Sequence, residues 1–212
     1  MLQRLDRDTL IMLGFNLLPL LGVWLAGWDT DALLILYWLE TLVIGFWTVV
    51  FVANADNQTI ALLSNPGQPA RPGTAMALFV LVHAGFFMAI HLFFLHFAFE
   101  VGRHSGKPLF DTIVELVLNA RLWLPLAGLF VIRGLMTFDA LRRQESVDRQ
   151  LTGFYFRIVV MQLAILGGGM LLVFLGVQAP LLVLIVVRLA FEFAVPSVED
   201  YVEEVTRRAH AR

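Results

Sequence analysis

Residues 31–53 read DALLILYWLETLVIGFWTVVFVA, and this stretch decides the class of the protein. After Asp31 at its start, Glu40 is the only charged side chain in it. A helix of about 20 predominantly apolar residues crosses the hydrocarbon core of a bilayer. The stretch is therefore long enough to span a membrane, and Glu40 falls within the span.

The composition of the whole chain agrees with this class. Of 212 residues, 59% are hydrophobic and 15% are charged, and the mean hydropathy is +0.79. Soluble domains contain about 25% charged residues, so a soluble protein of this composition could not cover its surface with polar groups. The sequence predicts an integral membrane protein covered by lipid and excludes a soluble enzyme and a disordered chain. With no cysteine it also excludes a disulfide-stapled module, and the net charge of -2 argues against nucleic acid as a partner.

The apolar segments predict an all-α, polytopic transmembrane helix bundle with about six spans and a single domain over residues 1–212. Residues 109–118, an apolar stretch that contains Asp111 and Glu115, are interpreted as an interfacial amphipathic helix and not as a seventh span. Residues 197–212 are expected to form a short cytoplasmic helical tail. The six predicted spans are residues 9–27, 31–53, 75–99, 121–141, 153–176 and 180–196.

Basic residues predict the orientation in the membrane. With six spans, one side of the membrane receives most of the arginines, and the positive-inside rule places that side and both termini in the cytoplasm. We therefore expect a multi-pass protein of the cell inner (plasma) membrane, with the lipid bilayer as its partner. A protein partner or a homo-oligomer is left open. The cytoplasmic set is Arg4, Arg7, Arg71, Arg142, Arg143, Arg149, Arg207, Arg208 and Arg212, and the outer set is Arg103, Lys107 and Arg121.

Ionisable residues within the spans are the candidate functional groups, because each costs roughly 3 kcal/mol at the centre of a membrane helix. At a rise of about 1.5 Å per residue, Glu40, His91 and Arg188 lie about 12 to 13 Å below the outer ends of their spans. Three spans would then bring a carboxylate, an imidazole and a guanidinium to one level. The expected secondary lining of this site is His83, Gln162 and Glu192.

This predicted cluster has three interpretations. In the first, it is an intramembrane polar site that binds a small ligand, a proton or a metal ion, and the candidate metal ligands are Glu40 and His91. In the second, the same residues only clamp helices together in a structural or partner-binding subunit. In the third, Glu40 is the base of an intramembrane hydrolase. His83 and His91 cannot share one metal ion, because eight residues of helix separate them by about 12 Å.

Three short motifs follow one another between the second span and the sixth. They are Tyr37-Trp38-Leu39-Glu40 followed by Gly45, then His83-Ala84-Gly85-Phe86 with His91, and then Tyr155-x-Arg157-Ile158-Val159-Val160 before Gly167-Gly168-Gly169. This ordered set resembles a prokaryotic family of multi-pass membrane proteins known only as a domain of unknown function. The resemblance implies that relatives often carry His in place of Gln162, and Lys with Asp in place of Arg188 and Glu192. It implies no activity.

Overall fold

The computed structural model describes residues 21–55, 73–98, 101 and 106–175, and these residues form helices joined by turns, without strands. The predicted all-α class is therefore confirmed for the described part of the chain. Most of the first predicted span, the whole sixth span and the C-terminal tail lie outside the described residues. The helices are α1 (21–26), α2 (Thr30–Asn54), α3 (Gly73–Ala98), α4 (Leu109–Asn119), α5 (Trp123–Arg142) and α6 (Val147–Leu175).

Three of the described helices, α2, α3 and α5, are long and apolar enough to cross a membrane. They correspond to the second, third and fourth predicted spans. Helix α6 contains nearly all of the fifth predicted span, residues 153–176, but begins earlier, at Val147. The total of six spans and the side on which each terminus lies stay predictions.

Helix α2 is the central helix of the described bundle. It packs against α3, α4, α5 and α6. More than half of its apolar segment, 56%, is buried within the protein, compared with 28% for α3 and 17% for α5. The outer helices therefore leave most of their apolar residues exposed, which is compatible with contact with lipid, whereas Glu40, Thr41 and Thr48 of α2 are buried.

Two hydrophobic clusters show that the long helices alternate in direction. One cluster lies at the beginning of α2 and the other near its end. Helices α2 and α5 therefore run in one direction, and α3 and α6 run in the opposite direction. The first cluster includes Leu33, Leu95, Leu126 and Met161, and the second includes Phe51, Ala77, Ala140 and Val147.

Helix α4 has three distinct faces. One face packs against the start of α2, a second exposes apolar side chains, and the third is polar. This pattern is typical of a helix that lies along a membrane surface, and it fits the interfacial helix predicted over residues 109–118. The packed face carries Thr112, Ile113 and Leu116, the exposed apolar face Phe110, Val114 and Leu118, and the polar face Asp111, Glu115 and Asn119.

The turn between α1 and α2 fixes the position of α4. The Trp28 indole Nε1 donates a hydrogen bond of 2.8 Å to the carbonyl oxygen of Ala120, at the end of α4. The Trp28 ring fills the space above Gly22, where any side chain would collide with it. Asp29 caps α2, because its Oδ1 accepts a hydrogen bond of 2.8 Å from the Ala32 backbone N–H. These contacts join two segments that are far apart in the sequence.

Candidate functional site

His91 lies on the buried stripe of α3, and only 1% of its surface is exposed. Its neighbours along this stripe recur every three or four residues, as expected for one face of a helix. The stripe faces α2, since the Trp38 Nε1 donates a hydrogen bond of 2.9 Å to the Met88 carbonyl oxygen. The buried residues of the stripe are Ala77, Val80, Ala84, Met88, His91 and Leu95.

The two ring nitrogens of His91 have different surroundings. The Nδ1 lies 2.6 Å from the carbonyl oxygen of Phe87, one turn earlier in α3. Because a carbonyl oxygen only accepts hydrogen bonds, Nδ1 carries the proton. The neutral ring therefore has a lone pair at Nε2. This atom is buried and has no hydrogen-bond partner among the residues that the structure describes.

Glu40 is also buried, with 8% of its surface exposed, and lies near the middle of α2. The Trp38–Met88 hydrogen bond sets the register of α2 against α3. Glu40 lies two residues after Trp38 in α2, and His91 lies three residues after Met88 in α3. Because the two helices run in opposite directions, these steps lead away from each other along the bundle.

Glu40 also points to a different side of α2 from Trp38. Two residues of a helix correspond to a rotation of about 200°, so Glu40 lies nearly opposite the residue that reaches α3. The sequence predicts one level for Glu40 and His91. The structure places both in the core around α2, but in different sectors of it.

His83 is separated from His91 although both belong to α3. Its side chain is exposed, and its Nδ1 lies 3.0 Å from the hydroxyl oxygen of Tyr155 on α6. His83 therefore lies on the outer surface of the described bundle, on a different side of α3 from the buried stripe that carries His91.

The other predicted site residues lie further along the chain. Gln162 is half-buried and follows Met161, whose sulfur lies 3.5 Å from the Thr41 hydroxyl. Arg188 and Glu192 lie outside the described residues. Within the described ranges, no group of three or more His, Cys, Asp or Glu side chains is placed to hold a metal ion. A metal at Glu40 or His91 would therefore need ligands from elsewhere.

A cleft of about 380 Å³ lies between the α1–α2 turn and α4, and it was not among the sites predicted from the sequence. Its charged lining has both signs, and Lys107 pairs with Glu115 at 2.5 Å. The turn and the interfacial helix are far apart in the sequence, and the Trp28–Ala120 hydrogen bond and the packing of Ile113 and Leu116 against the start of α2 bring them together. The available signal was the presence of charges of both signs in the turn before the second span and around the predicted interfacial helix. The charged residues lining the cleft are Asp29, Asp31, Lys107 and Glu115.

Comparison with known proteins gives one match. The sequence profile of the family of unknown function DUF6498 covers residues 2–211, nearly the whole chain. The chain therefore belongs to this family. No curated protein and no solved structure matches it.

Proposed function

We propose that this member of DUF6498 is an integral membrane protein that binds a small cation, either a proton or a metal ion, at Nε2 of His91. The observation that carries the proposal is the buried Nε2 without a partner in the described part of the chain. Its ring is oriented by the Nδ1 hydrogen bond to Phe87. Histidines that bind metals commonly donate their other ring N–H to a carbonyl or carboxylate in this way.

The membrane environment supports a bound cation at this atom. A polar atom left unsatisfied in the bilayer interior costs several kcal/mol. A cation bound at Nε2 would occupy that lone pair, and its charge would then require a counter-charge in the same core. Neutral imidazole is also the side chain that changes its charge most readily near physiological pH.

Glu40 is proposed as the counter-charge for that cation. Like His91, it is buried in the core around α2. In a medium of low dielectric constant, opposite charges attract over longer distances than they do in water. Arg188, Glu192 and Gln162 are proposed as further polar lining of the same core.

A purely structural clamp is less well supported for His91. Its Nδ1 hydrogen bond is made to Phe87, within α3 itself. That bond holds one turn of one helix and does not join two helices. A clamp would require a ring nitrogen to form a hydrogen bond to another helix.

The proposal is tested on protein purified in detergent. We expect wild-type protein to bind about one equivalent of Zn²⁺ in equilibrium dialysis with elemental analysis, or else to show a His91 imidazole ¹⁵N signal that reports reversible protonation of the ring. The first result identifies a metal site, and the second identifies a proton site. Changing Glu40→Gln should weaken either form of binding without abolishing it, because it removes charge and not a direct ligand.

His91→Ala and His91→Phe should abolish the binding, and His91→Phe keeps a ring in the buried space. His96→Ala is the matched control, because His96 is on the same helix, is half-buried, and bonds through Nδ1 to a carbonyl, that of Val101, at 3.1 Å. Binding that survives in both His91 variants would overturn the proposal, as would wild-type protein with neither zinc nor a titrating His91.

A further inference from the structure

His83 lies near the middle of the membrane and faces outward. It stands ten residues after Gly73 and fourteen before Phe97, the two ends of its apolar segment. These separations correspond to about 15 and 21 Å along the helix axis. The imidazole is nevertheless exposed at the surface of the protein, at a depth where the surroundings are hydrocarbon.

Aromatic rings surround this imidazole. Phe79 stacks on it with the ring centroids 5.2 Å apart and the planes within 11°. Phe87 meets it edge-on at 5.1 Å, and the Tyr155 ring lies 5.5 Å away. Phe79 and Phe87 are themselves exposed. The result is an aromatic wall on the outside of α3 and α6 with one polar group in its centre.

The His83–Tyr155 pair presents a hydrogen-bond donor to the outside whichever way its proton is placed. If the Tyr155 hydroxyl donates to Nδ1, the imidazole carries its hydrogen on Nε2 and that N–H is free to donate. If Nδ1 donates to the phenol oxygen, the phenol O–H is free to donate. In the described part of the chain, the only hydrogen bond of His83 is the one to Tyr155. A donor in hydrocarbon requires an acceptor.

We propose that the His83–Tyr155 pair binds a planar, lipid-soluble molecule that carries a carbonyl oxygen, of the quinone class. The donor selects a carbonyl acceptor, and the flanking Phe79 and Phe87 rings favour a planar ring that can stack. The depth of about 15 Å from the nearer helix end selects a molecule that dissolves in the bilayer interior, and it excludes a lipid headgroup. This site is separate from His91, so either proposal can fail without the other.

Binding of decylubiquinone to the full-length protein in lipid nanodiscs, followed by quenching of tryptophan fluorescence, tests the inference. We expect saturable binding by the wild-type protein. His83→Leu should raise the Kd by about tenfold, as expected for the loss of one hydrogen bond, and Tyr155→Phe should raise it by a smaller factor. His96→Leu, a change of the same kind nearer the end of α3, should leave the Kd unchanged.

Two results would overturn the inference. One is the absence of saturable binding by the wild-type protein, or a Kd that neither His83→Leu nor Tyr155→Phe changes from the wild-type value. The other is evidence that a second copy of the chain covers this surface. Since the chain has no cysteine, a single Phe86→Cys substitution next to His83 reports on that arrangement. Efficient formation of a disulfide-linked dimer in the membrane would assign the surface to a protein interface.

Discussion

The three histidines of α3 differ in their surroundings although they share one helix. His83 is exposed and bonds to Tyr155 on another helix. His91 is buried and bonds to its own helix through Phe87. His96 is half-buried and bonds to the Val101 carbonyl beyond the end of the helix. His91 is therefore a buried ring with a free lone pair, His83 is part of a donor pair at the surface, and His96 makes a contact at the end of the helix. The residue type alone does not distinguish these three roles.

The Trp28 hydrogen bond to Ala120 should contribute measurably to stability. Trp28→Phe keeps an aromatic ring over Gly22 but leaves the Ala120 carbonyl without this donor. Loss of one such hydrogen bond costs about 1 kcal/mol, which corresponds to a decrease in Tm of roughly 2 to 4 °C for a chain of this length. Trp24→Phe is the control, because Trp24 is 85% exposed and its replacement should leave the Tm unchanged. Equal Tm values for both variants would contradict the role assigned to Trp28.

Close contacts between helices depend on small residues of α2 and α5. The Trp47 ring of α2 lies directly over Gly134 of α5, and the Phe154 ring of α6 lies over Gly45 of α2. Glycine at these positions lets the large rings of the neighbouring helix approach the backbone, as is common for helices packed in membranes. The packing around α2 therefore depends on large aromatic side chains that lie against glycines, which have no side chain.

Gly134→Ala should destabilise the contact between α2 and α5. The added Cβ would lie 2.7 Å from Trp47 Cζ2, a distance that forces the ring to move. Overpacking of this kind costs about 1 to 3 kcal/mol, and thermal unfolding in detergent should show a lower Tm.

Gly85→Ala provides the comparison, because a Cβ at this position of α3 meets no atom within 4 Å. Its Tm should stay the same or rise, since glycine within a helix is less favourable than alanine by up to about 1 kcal/mol. If Gly134→Ala were as stable as Gly85→Ala, the Trp47 contact would not limit the packing.

The described bundle has two chemically different ends. At one end, the start of α2 meets α4 and the charged cleft. At the other, the turn between α5 and α6 carries an exposed ion pair between Arg143 and Asp139, at 2.7 Å. Because α2 and α3 are long and apolar enough to cross a membrane, the two ends are expected to face opposite aqueous phases.

Cysteine labelling tests the predicted orientation. The chain has no cysteine, so Asn119→Cys and Gln144→Cys each introduce a single thiol at an exposed position at opposite ends of the bundle. The positive-inside rule predicts that a membrane-impermeant maleimide labels Asn119→Cys in sealed right-side-out vesicles and Gln144→Cys in inverted ones. The reverse pattern would show that the termini lie outside, and labelling of both in one kind of vesicle would show that α5 does not cross the membrane.

The described helices could largely be predicted from the apolar runs alone. Residues 31–53 correspond to Thr30–Asn54, and residues 75–99 correspond to Gly73–Ala98. In lipid, every backbone polar group must be bonded internally, so an apolar run of sufficient length has to be helical. Helix α6 shows the limit of this reasoning, because it begins at Val147, before the predicted 153. The predicted boundary marks the start of the apolar run, whereas the helix also includes the charged residues before it, Asp148 and Arg149.

The position of each polar side chain around its helix was decided only by the tertiary structure. Sequence spacing gives the expected depth of a residue in the bilayer, and Glu40 and His91, which it places within their spans, are both buried. It does not give the rotation of one helix against its neighbours, because that depends on contacts such as Trp38 with Met88 and Trp47 with Gly134. Those contacts turn Glu40 away from α3, bury His91 and leave His83 facing outward.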